Sequence, residues 1–191
     1  MDADNLALEF LNTKKYVKGR ATDLIPTPSQ LLEWLDRVVG PTDRPDTELS
    51  PPAARLLFDE AHRLRNAIRD AVEAHTRDEP VSPSSLYGLN RALDVSRFTS
   101  QLVQGEDQLI LLERDTAAPA NAALSKIALS AATLLTEVDR RRVRQCRSDR
   151  CARWFLDISK SGRRRWCSMA TCGNRAKAAR HYQKQKTPVA D

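Results

Sequence analysis

The chain holds four cysteines, and all of them fall between positions 146 and 172 as two Cys-x4-Cys pairs separated by fifteen residues. Thiolates this close in sequence can enclose one metal ion, and four sulfurs at about 2.3 Å suit tetrahedral zinc. The commonest spacing in such sites is Cys-x2-Cys, so this is a looser relative. With Cys146, Cys151, Cys167 and Cys172 as ligands, no position is left for water, and the expected zinc is structural, one ion per chain. The constraint reaches beyond the ligands. A tail of roughly forty residues cannot bury enough apolar surface to fold alone, so the metal has to supply much of its folding free energy. A four-thiolate iron site and paired disulfides are the competing readings. Against the disulfides stands the start of the chain: Met-Asp-Ala-Asp-Asn lacks the basic stretch of a secretory signal. No apolar run reaches the roughly 18–20 residues of a membrane span. A cytoplasmic protein with reduced thiols and no membrane contact is the expectation.

A net charge of +6 conceals two opposite halves. Residues 1–139 carry 15 Lys/Arg against 22 Asp/Glu, whereas residues 140–186 carry 16 Lys/Arg against only Asp149 and Asp157. The basic half is interleaved with Trp, Phe and Cys. That favours a polyanion partner over a tail that merely aids solubility.

The acidic half reads as a helical domain. Leu6, Leu8, Phe10 and Leu11 predict a short first helix ending near Asn12-Thr13, then a loop from Lys14 to Thr27. Thr27-Pro28 starts a second helix, with Thr as cap and Pro in the first turn, that ends at Gly40-Pro41. After a loop over 40–50, Leu57, Ala61, Leu64, Ile68 and Val72 predict a long helix over about 52–76. Ser82-Pro83 starts another. The pattern then changes, and 98–104 with 108–114 reads as a β-hairpin turning at 104–107. From Ala117 to Arg144 an Ala/Leu-rich helix is expected to run straight into the basic region, with Arg140 to Arg142 in its last turns. The predicted class is mainly α with one hairpin over 1–142, followed by a compact zinc-stapled unit over 143–186 and a frayed tail at 187–191.

Within that unit, residues 153–158 are expected to form a strand, Ser159 to Gly162 a turn, and Arg163 to Trp166 an antiparallel return. Ser168 caps a final helix over 169–186. Knuckle, hairpin and helix would then share one ion in the manner of a treble clef. Trp154-Phe-Leu-Asp157-Ile-Ser159-Lys160, Arg164-Arg165-Trp166-Cys167-Ser168-Met169 and Cys172-Gly173-Asn174-Arg175 with Lys177 closely resemble the CGNR zinc-finger family. Members of that family carry an N-terminal ABATE domain. Leu6-Ala-Leu-Glu-Phe-Leu-Asn12-Thr13, Leu31 to Leu35 with Trp34, and Leu64-Arg65-Asn66-Ala67-Ile68 look like its recurring segments. The resemblance covers nearly the whole chain and is most specific from 146 to 181. It implies a bacterial protein with a part in stress-linked transcription regulation. It also implies four Cys ligands at 146, 151, 167 and 172, and DNA binding by the finger.

Candidate nucleic-acid contacts follow from side-chain chemistry. Arg reads guanine and Asn reads adenine in a major groove, which singles out Asn174 and Arg175 at the start of the final helix. Asn174 equally suits a helix turn. Lys177, Arg180, His181 and Lys184 follow at helical spacing, with Ala176, Ala179 and Cys172 turned to the finger core. Arg163, Arg164 and Arg165 are expected on phosphates. Trp154, Phe155 and Trp166 read as a miniature core beside the metal. In the helical domain, Asn12 and Arg65 sit among apolar positions and are candidate groups of a ligand pocket, against the plainer reading of a structural hydrogen bond. His62 and His75 read as ordinary histidines. No Gly-rich phosphate loop, HExxH or serine elbow is present, so an enzyme is not expected. The leading expectation is a regulator that binds double-stranded DNA at the nucleoid, with a small-molecule effector and a homodimer as further expectations. An RNA-binding zinc protein, or an enzyme with an accessory finger, is the alternative.

Overall fold

The computed structural model describes residues 5–17, 20–39, 49–94, 98–104, 109–115 and 119–186. The side chains of residues 16–17, 98–104, 109–115, 119–120, 181 and 184–186 lie outside that description. So do the expected loop over 40–48, the hairpin tip at 105–107 and the tail at 187–191. Asn5 caps α1 (Leu6–Leu11) by accepting from the Leu8 N–H at 3.1 Å. α2 (Pro28–Val39) begins where Thr27-Pro28 predicts, Thr27 Oγ1 accepting from the Gln30 N–H. α3 (Pro51–Arg77) carries Pro at its first positions and ends at Asp78, in the left-handed region at φ 62°. α4 (Pro83–Leu93) is capped by Ser82, and α5 (Pro119–Glu137) follows the hairpin of β3 (Phe98–Gln104) and β4 (Leu109–Asp115). Along α3, the stripe Leu57, Ala61, Leu64, Ile68 and Val72 is buried, and α1, α2 and α5 pack over it. Leu8, Phe10, Leu35, Ile68, Ile127 and Leu134 form the centre, each almost wholly removed from water. Each such side chain contributes about 1.5–3 kcal/mol. Among the described residues, no helix is long and apolar enough to cross a membrane.

Two elements depart from expectation. The stretch after α1 is not a loop throughout: β1 (Lys14–Val17) pairs antiparallel with β2 (Arg20–Asp23), Lys14 opposite Asp23. A tertiary clamp holds it. Arg65 on α3, 2 % exposed, donates to Thr13 Oγ1 at 2.8 Å and to both Asp23 carboxylate oxygens, at 2.9 Å to Oδ1. Second, the last long helix stops at Glu137 instead of running to Arg144. Asp139 accepts from the Arg141 N–H at 3.0 Å and caps a short 3-10 turn over Arg140–Arg142, so its side chain competes with the helical ladder. Arg140 to Arg142 therefore do not serve a helix terminus. Arg140 pairs with Asp78 at the end of α3, and the chain enters β5 (Val143–Gln145).

The Arg65 clamp titrates. His62 Nδ1 lies 3.3 Å from Arg65 Nη2, and the ring packs on Phe58 with centroids 4.2 Å apart. Burial, then the adjacent Arg65 charge, holds His62 below its ordinary 6.5. The fold thus favours neutral His62, while the unfolded chain takes up a proton as pH falls through about 6.5. Stability is expected to decline from there downward. Asp23 adds a second loss at lower pH: burial opposes its charge, but the Arg65 and Ile25 hydrogen bonds outweigh it and hold the carboxyl below 3.8. Urea unfolding at about pH 7.5 and about pH 5.5 tests this. The midpoint should drop on acidification, and His62→Gln should reduce the drop; equal losses in both proteins would refute the assignment.

Candidate metal centre and basic face

β5 pairs antiparallel with β6 (Trp154–Leu156), Val143 opposite Leu156 and Gln145 opposite Trp154. The Cys146 N–H donates to the Arg153 carbonyl at 2.8 Å and closes the loop that carries Cys146 and Cys151. The finger's hairpin thus encloses the first cysteine pair, whereas the sequence places it between the pairs. Residues 163–166 form no strand: Asp157 takes the Arg164 N–H, and the Arg165 carbonyl accepts from the Arg147 N–H at 3.0 Å. The Asp157 carboxylate is fully buried and accepts from Arg164 N–H at 2.7 Å, Ser159 N–H at 3.1 Å and Ser159 Oγ at 2.5 Å. Burial opposes its charge, but these donors and the Arg144 guanidinium outweigh it and hold the carboxyl below its ordinary value. Gly162 supplies the left-handed turn between them, at φ 59°.

The second pair is set by a different device. Ser168 accepts from the Thr171 N–H, and Met169–Gly173 forms a π-turn closed by Gly173 N–H on the Ser168 carbonyl at 3.0 Å. The turn brings Cys172 back toward Cys167, which lies in the extended chain just before it. The end of the Met169 side chain packs against Gly173, with Sδ 2.6 Å from where a Cβ would stand. Cys167 Sγ lies 3.7 Å from Cys151 Sγ and 3.8 Å from Cys172 Sγ, and all four sulfurs lie within 4.8 Å of one another.

Four sulfurs at about 2.3 Å from one tetrahedral ion stand about 3.8 Å apart, so this donor set fits zinc. The spacing excludes disulfides, whose sulfurs stand about 2.05 Å apart. Electrostatics are consistent with an ion here. Burial, then repulsion from Cys151 and Cys146, pushes the Cys167 thiol far up, and burial also raises Cys151. At Cys146 burial acts the same way, but N–H groups of Cys167 and Ser148 outweigh it and hold the thiol below its ordinary value. A divalent cation lets all four ionise together. The site is a structural zinc centre; its ligand shell is sulfur throughout, and Phe155 and Trp166 pack beside it.

α6 (Asn174–Lys186) continues directly from the π-turn. From Asn174 to Arg180 every residue is exposed except half-buried Ala176, so Ala179 does not face the finger core as its spacing predicts. Arg175 and Lys177 have no carboxylate partner among the described residues, and neither have Arg163 and Arg165, all exposed. Arg165 lies over the Trp166 ring at 5.4 Å. Asn174 Nδ2 donates back to the Ala170 carbonyl at 3.3 Å, and Arg180 Nε to the Ala176 carbonyl at 3.5 Å. The side chains of His181 and Lys184 lie outside the described residues.

Three expected site residues are turned inward instead. Arg164 is a correction: its guanidinium donates to the Trp166 carbonyl at 3.0 Å and to the Cys167 carbonyl, over the Phe155 ring at 5.2 Å. It braces the second cysteine pair and does not face a phosphate. Asn12 bridges α1 to the finger, Nδ2 donating to the Trp154 carbonyl at 2.8 Å and Oδ1 accepting from the Trp154 N–H at 2.9 Å. Arg65 is spent on Thr13 and Asp23. Buried backbone and carboxylate groups claim both, in place of the ligand expected of them. Sequence reasoning overlooked the role of Asp157, although its being one of only two acids in a basic run was the signal. It also overlooked exposed Arg147 and Arg150 on the first knuckle, and Arg142, which donates to the Asp157 and Ser159 carbonyls at 2.8 and 3.1 Å.

Comparison with known families finds two matches in tandem. Residues 4–138 match the ABATE family, described as "Putative stress-induced transcription regulator", and residues 142–185 match the CGNR zinc finger. No curated protein matches the chain.

Proposed function

The chain belongs to the ABATE family and ends in a CGNR zinc finger, and from that premise we propose that it is a DNA-binding transcription regulator that lays α6 in the major groove. One observation carries the reading: a basic helix, anchored at its start by the zinc centre, whose residues from Asn174 to Arg180 are exposed apart from half-buried Ala176. A helix polar all round gains little from packing in the free protein, and a polyanion is the partner that gives its charge a use. Arg175 and Asn174 at its N-terminal end are the base-reading pair. Lys177, Arg180, His181 and Lys184 with Arg163 and Arg165 hold phosphates, joined by Arg147 and Arg150 on the knuckle. An all-sulfur shell leaves the zinc no open position, so the reading is of a binding protein and not an enzyme. Pairing of two chains would set two fingers on two half-sites and raise the affinity. Such a protein works at the nucleoid, in the cytoplasm.

The test begins with a duplex selected from a random library by the full chain. Fluorescence anisotropy then follows binding across a salt series. Arg175→Ala should weaken binding to the selected duplex by about 1–3 kcal/mol, with a smaller loss on an unrelated one. Arg165→Ala should weaken both alike and lower the salt slope. Equal and steeply salt-dependent binding to every duplex and to structured RNA would overturn the regulator in favour of a general nucleic-acid binder.

A further inference from the structure

α3 and α4 run antiparallel in contact, Ala67 facing Gly88 and Glu60 facing Arg91. A Cβ on Gly88 would stand 2.9 Å from that of Ala67, so this approach needs glycine. Beside the seam, α5 completes a cleft of ≈ 420 Å³, within the roughly 300–1,000 Å³ of small-molecule sites. Leu64, Ala67 and Leu124 supply its apolar lining, and Tyr87, 68 % exposed, stands at its rim.

The two ends of the cleft differ in charge. At one, Glu60 is shared between Arg63 at 2.9 Å and Arg91 at 2.5 Å, which leaves one positive charge and unused guanidinium donors. At the other, toward Ser84 in the first turn of α4, Asp70 has no cation beside it among the described residues. A polyanion would meet Asp70, and a polyamine would meet the arginines; a molecule with one charge of each sign satisfies both ends. Along α3 the two ends lie about 13 Å apart, at about 1.5 Å per residue. Side-chain reach leaves roughly 10 Å for the ligand, the span of about three extended residues. The partial charges at the ends of α4 oppose this arrangement, but at about half a unit each they are outweighed by full side-chain charges.

We propose that this cleft binds a short linear peptide with free ends. Its carboxylate lies on Arg63 and Arg91, its ammonium on Asp70, and an apolar side chain between them on Leu64 and Leu124. The α3 residues that line it flank Arg65 in sequence, but Arg65 itself turns away to Thr13 and Asp23. The inference stands apart from the nucleic-acid reading, because binding is measured with no nucleic acid present.

Titration calorimetry of the zinc-loaded full chain with Ala-Leu-Ala decides it, alongside the N-acetylated and C-amidated forms. The free tripeptide should bind, and each cap should weaken it about ten- to a hundredfold. Asp70→Asn should weaken the free peptide by the same factor and leave the N-acetylated form unchanged. Arg91→Ala should do the same with respect to the amidated form. Both positions are exposed, so the variants keep the fold. No binding of the free tripeptide, or an affinity that ignores the caps and Asp70→Asn, would overturn the proposal.

Discussion

Stripping zinc from the intact chain with a strong chelator is expected to unfold the segment from Cys146 to Gly173 and to weaken the helical domain with it. Apparent zinc binding in finger-sized units is worth about 10–16 kcal/mol at neutral pH, more than so small a unit can recover from packing. The second effect follows from the seam. Val143 and Trp154, 3 % and 6 % exposed, belong to the same apolar core as α1, α3 and α5. Their withdrawal removes about 1.5–3 kcal/mol each. For a chain of this size that lowers the main melting transition by about 10 °C. Calorimetry before and after chelation measures it, with metal analysis expected to give one zinc per chain. An unchanged main transition would show that the finger hangs from the helical domain as an independent bead. Cys172→Ser should reproduce the chelated state, since three thiolates leave the buried cluster incomplete.

The second large effect is expected at Asn12. Asn12→Ala removes both partners of the Trp154 backbone, an N–H and a carbonyl buried at the seam. Each unsatisfied group costs about 1–3 kcal/mol, so the variant should lose about 2–6 kcal/mol in urea unfolding while still binding one zinc. The result also discriminates between roles. Were Asn12 a ligand group, the substitution would leave stability intact and change only small-molecule binding. A midpoint within error of wild type would therefore sink the seam reading.

How far the chain was legible differs by element. Caps were legible because they are local: Thr27, Ser82 and Ser168 each accept from an N–H three residues on. The β3–β4 hairpin was legible from the change of periodicity, and its register, Phe98 opposite Asp115, agrees with the expected strands to within a residue. The β1–β2 hairpin was not, since Lys14-Lys-Tyr-Val and Arg20-Ala-Thr-Asp have little apolar alternation of their own and depend on Arg65 reaching Asp23 from α3. The finger strands illustrate the same limit. Residues 154–156 read correctly as extended, but their partner is β5, because Asp157 takes the backbone donor that a return strand at 164 would have used.

By itself, the sequence located the metal centre. Four thiols confined between positions 146 and 172 are close enough along the chain to share one ion, and the sulfur spacing in the fold then rules out disulfides. It determined the helical stripe of α3 for a similar reason, since period and apolar content are local properties. Only the tertiary structure decided what the polar residues serve. Asn12 meets its partner 142 positions away, and Arg164 turns to the carbonyls of its own finger while Arg165, its neighbour, stays in water. A hydrogen-bonding side chain goes to whichever buried group would otherwise be left unpaired, and which groups are buried is settled only when remote segments pack.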